Sequence, residues 1–300
     1  RPPRSTLSSS SAASDVYKRQ TLHNYLVKND LNFEDISQIF VTHVHPDHYG
    51  MAGRIARLSG APVMMHPMEE TFIEPRYVHM DELLHQTDAL LTAHGVPRNE
   101  TAGMRDATKG LESYIVPDKA SRLLRQGDSV TTGEFTFNVY WTPGHSSGHL
   151  CLYEPEKKLL ISGDHLLPEI TPNVSVNPQS IENPLGRYVE SLRELRGLAV
   201  DMVLPGHDQP FTEFQPRIDA IIRHHDQRNA ELQEAMTAKP STAYQLAQQI
   251  TWGKKARFTD LPVFHQRMAV FETLAHLDMM TAEGRLNRFP RDGIIYYRKN

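Results

Sequence analysis

The sequence predicts an α/β protein in which a large catalytic domain is followed by a small C-terminal domain. Three observations lead to this prediction. Short apolar runs typical of strands alternate with helical patterns along most of the chain. Loops that contain His or Asp follow several of these strands directly. The last stretch of about 60 residues changes to a pattern of two helices and a hairpin.

The composition is that of an ordinary globular protein. The chain has 300 residues, 39% of them hydrophobic and 23% charged, which suits one large domain with a small appendage. No apolar run reaches the length of a membrane span and no secretory signal is present, so we predict a cytoplasmic protein without a membrane partner. The net charge of -4 gives no global attraction for nucleic acid.

Cysteine usage restricts the kind of metal site that the chain can build. Cys151 is the only cysteine, so neither an internal disulfide nor a thiolate-rich site can form. Any metal must therefore be held by His and carboxylate side chains, and the chain contains 16 histidines.

The first half of the chain begins irregularly. Residues 1 to 20 are rich in Ser near their centre and show no periodicity, so we predict a disordered, non-native tail without function. A short helix from residue 22, strand 39–41, a His-rich loop, helix 49–59 and strand 62–65 follow. Residues 68 to 120 show helical patterning broken by prolines, which indicates a helical insertion.

The second half alternates strands and helices and then changes character. We predict strands 129–130, 135–141, 150–153 and 159–162, helix 187–198, strand 202–204 and helix 216–238. These elements complete a catalytic domain over residues 21 to 236. Residues 237 to 300 are predicted to form a separate domain with helices 242–250 and 264–282 and strands 286–289 and 294–298.

The His-rich loop has the spacing of a metal site. His43 and His45 are two residues apart in extended chain, so their side chains point to the same face and can share one metal. Asp47 and His48 follow where the chain turns into a helix, and they can point toward a second ion. Four residues cannot complete two coordination shells, because each ion needs three or four ligands.

Three later loops offer the missing ligands. In each, a His or Asp lies beside a Gly close after a predicted strand, and Gly allows the tight turn that aims the side chain inward. The three residues are His145, Asp164 and His207.

Taken in order, these four segments resemble the ligand motifs of the metallo-β-lactamase superfamily over about residues 22 to 235. The resemblance implies an αββα sandwich and two divalent metal ions, zinc by default, although His and Asp ligands also accept Mn²⁺ or Fe²⁺. It further implies that one ion binds His43, His45 and His145, the other binds Asp47, His48 and His207, and Asp164 bridges the two.

This ligand set implies hydrolysis by a hydroxide that bridges the two ions. Two divalent ions and two carboxylates leave a charge of about +2, which lowers the pKa of bound water toward about 7. Asp47 and Asp164 are the predicted catalytic residues, with Asp47 orienting the hydroxide. Antibiotic cleavage is not expected, because class B β-lactamases commonly use a cysteine ligand near the Asp164 position and Cys151 lies elsewhere.

Three functions remain open. The first is a hydrolase of a small ester, thioester or lactone, as in the glyoxalase II-like branch of the superfamily. The second is an endoribonuclease or phosphodiesterase, because the C-terminal domain resembles a winged helix and its residues 241 to 300 include nine basic against five acidic residues. The third is a non-catalytic, metal-binding regulator. The C-terminal domain could instead pack on the catalytic domain or form a homodimer.

Several further residues are candidates for parts of the site. His149 and His165 adjoin predicted ligands and could support them or be ordinary hydrogen-bonded residues, and Tyr49 could line a pocket or pack in the core. A polar helix face is predicted for His224 and His225. The remaining candidates, treated as structural or exposed, are His66, His79, His85 and His94.

The resemblance also predicts a truncation. The superfamily normally begins with two or three strands before its His-rich loop, and only about 20 interpretable residues precede that loop in this sequence. We therefore expect an N-terminally truncated sandwich with an exposed sheet edge, less stable than a longer parent protein.

Overall fold

A computed structural model describes residues 11–106, 115–253 and 255–300, with side chains from residue 19 onward. Three parts of the chain lie outside the described residues: residues 1–10 of the predicted tail, residues 107–114 of the predicted insertion, and Lys254. The described chain divides into two compact units, one formed by residues up to 80 and 115–124, the other by residues 81–106 and those from 125 onward. This division differs from the predicted boundary between residues 236 and 237, which stays a prediction.

The first unit begins with helix α1 (Ser11–Lys28). The prediction of a disordered tail was therefore wrong for residues 11 to 20. This segment contains neither Gly nor Pro, and its Ala, Lys, Arg and Gln residues favour helix, although it lacks the apolar periodicity that predicts one. Toward the end of α1, Leu26 is buried.

A three-stranded parallel sheet forms the frame of the first unit. Its order is β1-β2-β3, with β1 at Ile39–Phe40, β2 at Val63–Met65 and β3 at Arg122–Leu123. Parallel neighbours need crossover connections, and helices supply them: α2 (Pro46–Tyr49) and α3 (Ala52–Ser59) precede β2, and α4 (Pro67–Tyr77) follows it. The sequence did not predict β3, because two exposed residues carry no pattern.

The second unit contains a five-stranded sheet in the order β4-β5-β6-β7-β8. Strands β4 to β7 pair antiparallel, whereas β8 pairs parallel with β7 because α7 (Pro184–Leu195) lies in the connection between them. All five strands were predicted, with ends that shift by at most two residues. They are β4 (Ser129–Thr132), β5 (Phe135–Trp141), β6 (Leu150–Glu154), β7 (Leu159–Gly163) and β8 (Met202–Pro205).

The helices of the second unit share a core with the C-terminal hairpin. One apolar cluster includes Leu91, Met104, Trp252 and Leu274, so helices from the predicted insertion pack against the C-terminal elements. The elements involved are α5 (Met80–Ala93), α6 (Arg98–Asp106), α8 (Phe214–Ala235), α9 (Ala243–Gln249), α10 (Val263–Ala282), β9 (Leu286–Arg291) and β10 (Ile294–Lys299).

Helix α10 contributes to two apolar clusters of the second unit. Besides the cluster above, it contributes Ala275 and Met279 to another apolar cluster that contains Cys151 and Leu160 of the sheet. The predicted order of helix, helix and hairpin is present, and the winged-helix assignment stays a prediction. Within the described part of the chain, none of the helices combines the length and apolar character that crossing a bilayer requires.

Candidate metal centre

The first unit gathers four predicted ligands in the segment that follows β1. His43 is fully buried, and its ring centroid lies 4.5 Å from that of His45 and 4.2 Å from that of His48. Asp47 is exposed, with Oδ2 3.7 Å from His48 Nε2. Pro46 begins α2 directly after His45, and this turn brings His48 back toward the two earlier histidines.

The peptide between the first two histidines is held from α4. Glu69 is completely buried, and its Oε2 accepts a hydrogen bond from the Val44 N–H at 2.7 Å. The Tyr77 hydroxyl donates to the carbonyl of Val44. Glu69 was not among the predicted site residues, although its spacing from Phe72 and Ile73 places it on the buried face of α4 and could have indicated a buried carboxylate.

The second unit brings its three predicted ligands together. Gly163 ends β7, and its carbonyl accepts the Gly206 N–H at 2.8 Å, so the loops that follow β7 and β8 start side by side. As a result, His207 Nε2 lies 3.4 Å from Asp164 Oδ2. His145, from the loop between β5 and β6, places its Nε2 3.5 Å from the same carboxylate oxygen.

These separations fit a divalent metal. Two ligand atoms about 2.1 Å from one tetrahedral ion lie about 3.4 Å apart, which is the spacing of the imidazole nitrogens from Asp164. His145 Nδ1 lies 2.8 Å from the carbonyl oxygen of Asn173 and donates to it, so the neutral ring keeps its lone pair on Nε2. Each unit therefore supplies part of the predicted ligand set, and every member of that set is a His or an Asp.

His149 and His165 lie beside the ligand Asp164. The Nε2 atom of His149 accepts the Asp164 N–H at 3.2 Å, and its Nδ1 lies 2.8 Å from the Thr142 hydroxyl, so this ring supports the backbone of the ligand. His165 is fully buried, and burial lowers its pKa to about 3. It is therefore neutral, and its carbonyl accepts the Tyr188 hydroxyl at 2.8 Å.

The prediction of a polar helix face was wrong for His225. It is buried, with its ring centroid 5.3 Å from His276 of α10 and 5.7 Å from Tyr188 of α7. His225 continues the buried face that Ile218 and Ile221 begin on α8, so helical spacing could have revealed its burial.

The other candidate residues are structural or exposed. Tyr49 is buried and donates a hydrogen bond to the carbonyl of Asp118 at 2.6 Å, so it packs in the core. His66 and His94 are buried, and His79 is exposed, as is His85.

Comparison with known proteins agrees with this geometry. The sequence model of the metallo-beta-lactamase superfamily matches residues 10–207. The probable metallo-hydrolase YqjP of Bacillus subtilis (strain 168) is 24% identical over 286 residues, which cover 93% of this chain and 85% of that protein. The lactamase-like protein nscB of Neosartorya fischeri is 30% identical over 113 residues, 38% of this chain, so the match spans only 32% of that relative.

Solved structures show the same fold. A metallo-beta-lactamase family protein from Thermus thermophilus matches with a TM-score of 0.78 and 28% identity over 94% of this chain and 86% of its own. A beta-lactamase domain protein from Burkholderia ambifaria matches with a TM-score of 0.73 and 31% identity over 88% and 75%. Since the superfamily model also covers more than half of the sequence, the chain belongs to the metallo-beta-lactamase superfamily and is a metallo-hydrolase of that fold.

Proposed function

We propose that the protein hydrolyses a small ester, thioester or lactone with two divalent metal ions, zinc by default. The approach of His145 and His207 to one oxygen of Asp164, at the spacing of ligands that share an ion, is the main support. The proposed ligands are His43, His45 and His145 for one ion, Asp47, His48 and His207 for the other, and Asp164 for both.

When bound, the ions would supply activation of water for attack at neutral pH and polarisation of the carbonyl that is attacked. Within the chain, Asp47 is the exposed carboxylate that would orient the attacking water and take up its proton. Asp164 is buried, and the negative charge of its carboxylate favours the binding of a metal cation beside it. His149 holds the backbone of Asp164, so the carboxylate direction is set before substrate binds.

Ion pairing in the hairpin favours a small substrate over RNA. Arg285 Nη1 lies 3.0 Å from Glu283 Oε2, and Arg288 Nη1 lies 3.4 Å from Asp278 Oδ1. These contacts reduce the positive field that the basic residues of the hairpin would present to phosphates. The acidic net charge of the chain acts in the same direction.

Replacing single ligands tests the metal-dependent mechanism. We expect His45→Ala and Asp164→Ala to abolish turnover and to lower the metal content below the wild-type level of about two ions per chain. His79→Ala and Asp201→Ala are matched controls, because both side chains are exposed. Metal analysis and initial rates give the readout, and full activity of either ligand variant would contradict the mechanism.

A substrate panel separates the three functions. Metal-loaded protein is incubated with a thioester, a lactone, an aryl ester and single-stranded RNA, and each product is quantified. We expect turnover of at least one acyl substrate that depends on Asp164. Faster cleavage of RNA than of any acyl substrate would assign the protein to the nucleases. Tight metal binding without turnover of any substrate would support a regulator.

A further inference from the structure

Asn173 connects a proposed metal ligand to the C-terminal helix α10. Its backbone carbonyl lies 2.8 Å from His145 Nδ1 and accepts that N–H. Its side-chain Nδ2 donates to Glu272 Oε2 of α10 at 3.1 Å. The two contacts use different groups of one residue, so Asn173 links His145 to α10.

The segment around Asn173 is attached to α10 by its backbone as well. The Val176 N–H donates to the carbonyl of Phe271, the neighbour of Glu272, at 3.1 Å. The Ser175 hydroxyl donates to Asn173 Oδ1, which sets the orientation of the side-chain amide. With Oδ1 accepting from Ser175, the amide nitrogen of Asn173 is directed at the Glu272 carboxylate.

Helix α8 holds the preceding part of the same loop. Arg217 donates from Nε to the carbonyl of Leu167 at 2.6 Å and from Nη2 to the carbonyl of Ile170 at 2.7 Å. The chain between Asp164 and Asn173 is therefore fastened at its middle by α8 and at its end by α10. Both ends of this loop belong to the proposed metal centre. One end is the proposed ligand Asp164, and the other is Asn173, whose carbonyl faces the proposed ligand His145.

We propose that Glu272 is a positioning residue that, through Asn173, fixes the direction of the His145 Nε2 lone pair. This inference rests on the proposed function, since it takes His145 as a metal ligand. In this arrangement the carboxylate of Glu272 accepts a hydrogen bond from the Asn173 amide, and the Asn173 carbonyl accepts one from His145 Nδ1. The second hydrogen bond orients the imidazole ring with Nε2 toward Asp164. Helix α10 thereby acts on the metal centre without contributing a ligand.

Metal affinity of the whole 300-residue chain tests this role. We measure the zinc dissociation constants of each variant by competition with a chromogenic chelator. Loss of a partner behind a metal ligand typically weakens metal binding about 10- to 100-fold, so we expect Glu272→Ala to weaken one of the two zinc sites by about 10-fold. Glu272→Gln should keep nearly the wild-type affinity, because its amide oxygen can still accept from Asn173.

A second variant keeps the test independent of α10 folding. Asn173→Ala removes the link and leaves the sequence of the helix unchanged, so we expect the same loss of zinc affinity as for Glu272→Ala. Combining both changes should cost no more affinity than either alone, because they break one connection. The matched control is Asp278→Asn, which changes a carboxylate on the same helix that pairs with Arg288.

The outcomes separate this inference from the proposed function. If wild-type protein binds zinc and Glu272→Ala binds it as tightly, the positioning role is overturned while the proposed function stands. Equal weakening by Asp278→Asn would trace the effect to general destabilisation of α10 and would also overturn the role. If wild-type protein binds no divalent metal, the proposed function fails and this inference fails with it.

Discussion

At the scale of single residues, the predicted ligands are held by neighbours that do not themselves bind metal. Val44 is the residue between His43 and His45, and both of its backbone polar groups are bound by side chains of α4. A buried N–H without a partner costs about 1–3 kcal/mol, so the Glu69 contact matters for stability as well as for the direction of the two histidines.

Glu69→Ala tests this support. We expect a loss of about 1–3 kcal/mol in the free energy of unfolding and weaker metal binding, since the buried N–H of Val44 loses its acceptor. Chemical denaturation with and without zinc provides the measurement. Glu74→Ala is the control on the same helix, because that side chain is exposed and pairs only with exposed His79 among the contacts described. Equal effects of the two substitutions would refute a specific role for Glu69.

At the scale of elements, the loop between β5 and β6 meets helix α7 closely. Gly144, which precedes the ligand His145, has a φ of +142°, and a Cβ at this position would lie 2.4 Å from Tyr188 Cβ and 2.9 Å from Tyr188 Cα. A helix backbone atom cannot move aside easily. The glycine therefore allows the ligand loop to lie against α7.

Gly144→Ala should disturb this contact. We expect a loss of about 1–3 kcal/mol in stability from overpacking, with a lower metal content because His145 shifts. Gly103→Ala is the control, since that helical position is open, with Val263 Cγ1 at 3.8 Å, and alanine there should stabilise α6 by about 0.5–1 kcal/mol. Thermal unfolding and metal analysis measure both effects, and an unchanged melting temperature for Gly144→Ala would argue against close packing.

At the scale of the whole molecule, buried neutral histidines link stability to pH. Burial lowers the pKa of His94 to about 4 and that of His165 and His225 to about 3. In the unfolded chain these groups titrate near their ordinary pKa of about 6.5. Below that pH the unfolded chain binds protons that the folded chain does not, so the stability present above pH 6.5 is lost as the pH falls toward 4.

Denaturation of metal-free protein between pH 4.5 and 7.5 tests this linkage. We expect the free energy of unfolding to rise with pH and to level off above about pH 6.5. His225→Leu should show a shallower rise than wild type, because one buried titrating group has been removed. His79→Gln, at an exposed position, should keep the wild-type slope. A slope for His225→Leu as steep as that of wild type would exclude its contribution.

The sequence by itself was sufficient to predict the features that depend on local pattern. The strands of the five-stranded sheet were found because apolar runs between turn residues define them. The superfamily was predicted from seven His and Asp residues in motifs of characteristic order, and the superfamily model confirms it. The first part of α1, residues 11 to 20, and strand β3 were missed because neither has apolar periodicity.

The tertiary structure alone decided which side chains support the ligands. Glu69 reaches Val44 across 25 positions in the chain, and Glu272 reaches Asn173 across 99. Local periodicity carries no information about such pairs, because they meet only when helices pack beside the ligand loops. Helical spacing along α8 could have indicated that His225 is buried, but only the packing of α8 against α7 and α10 decided which rings it contacts.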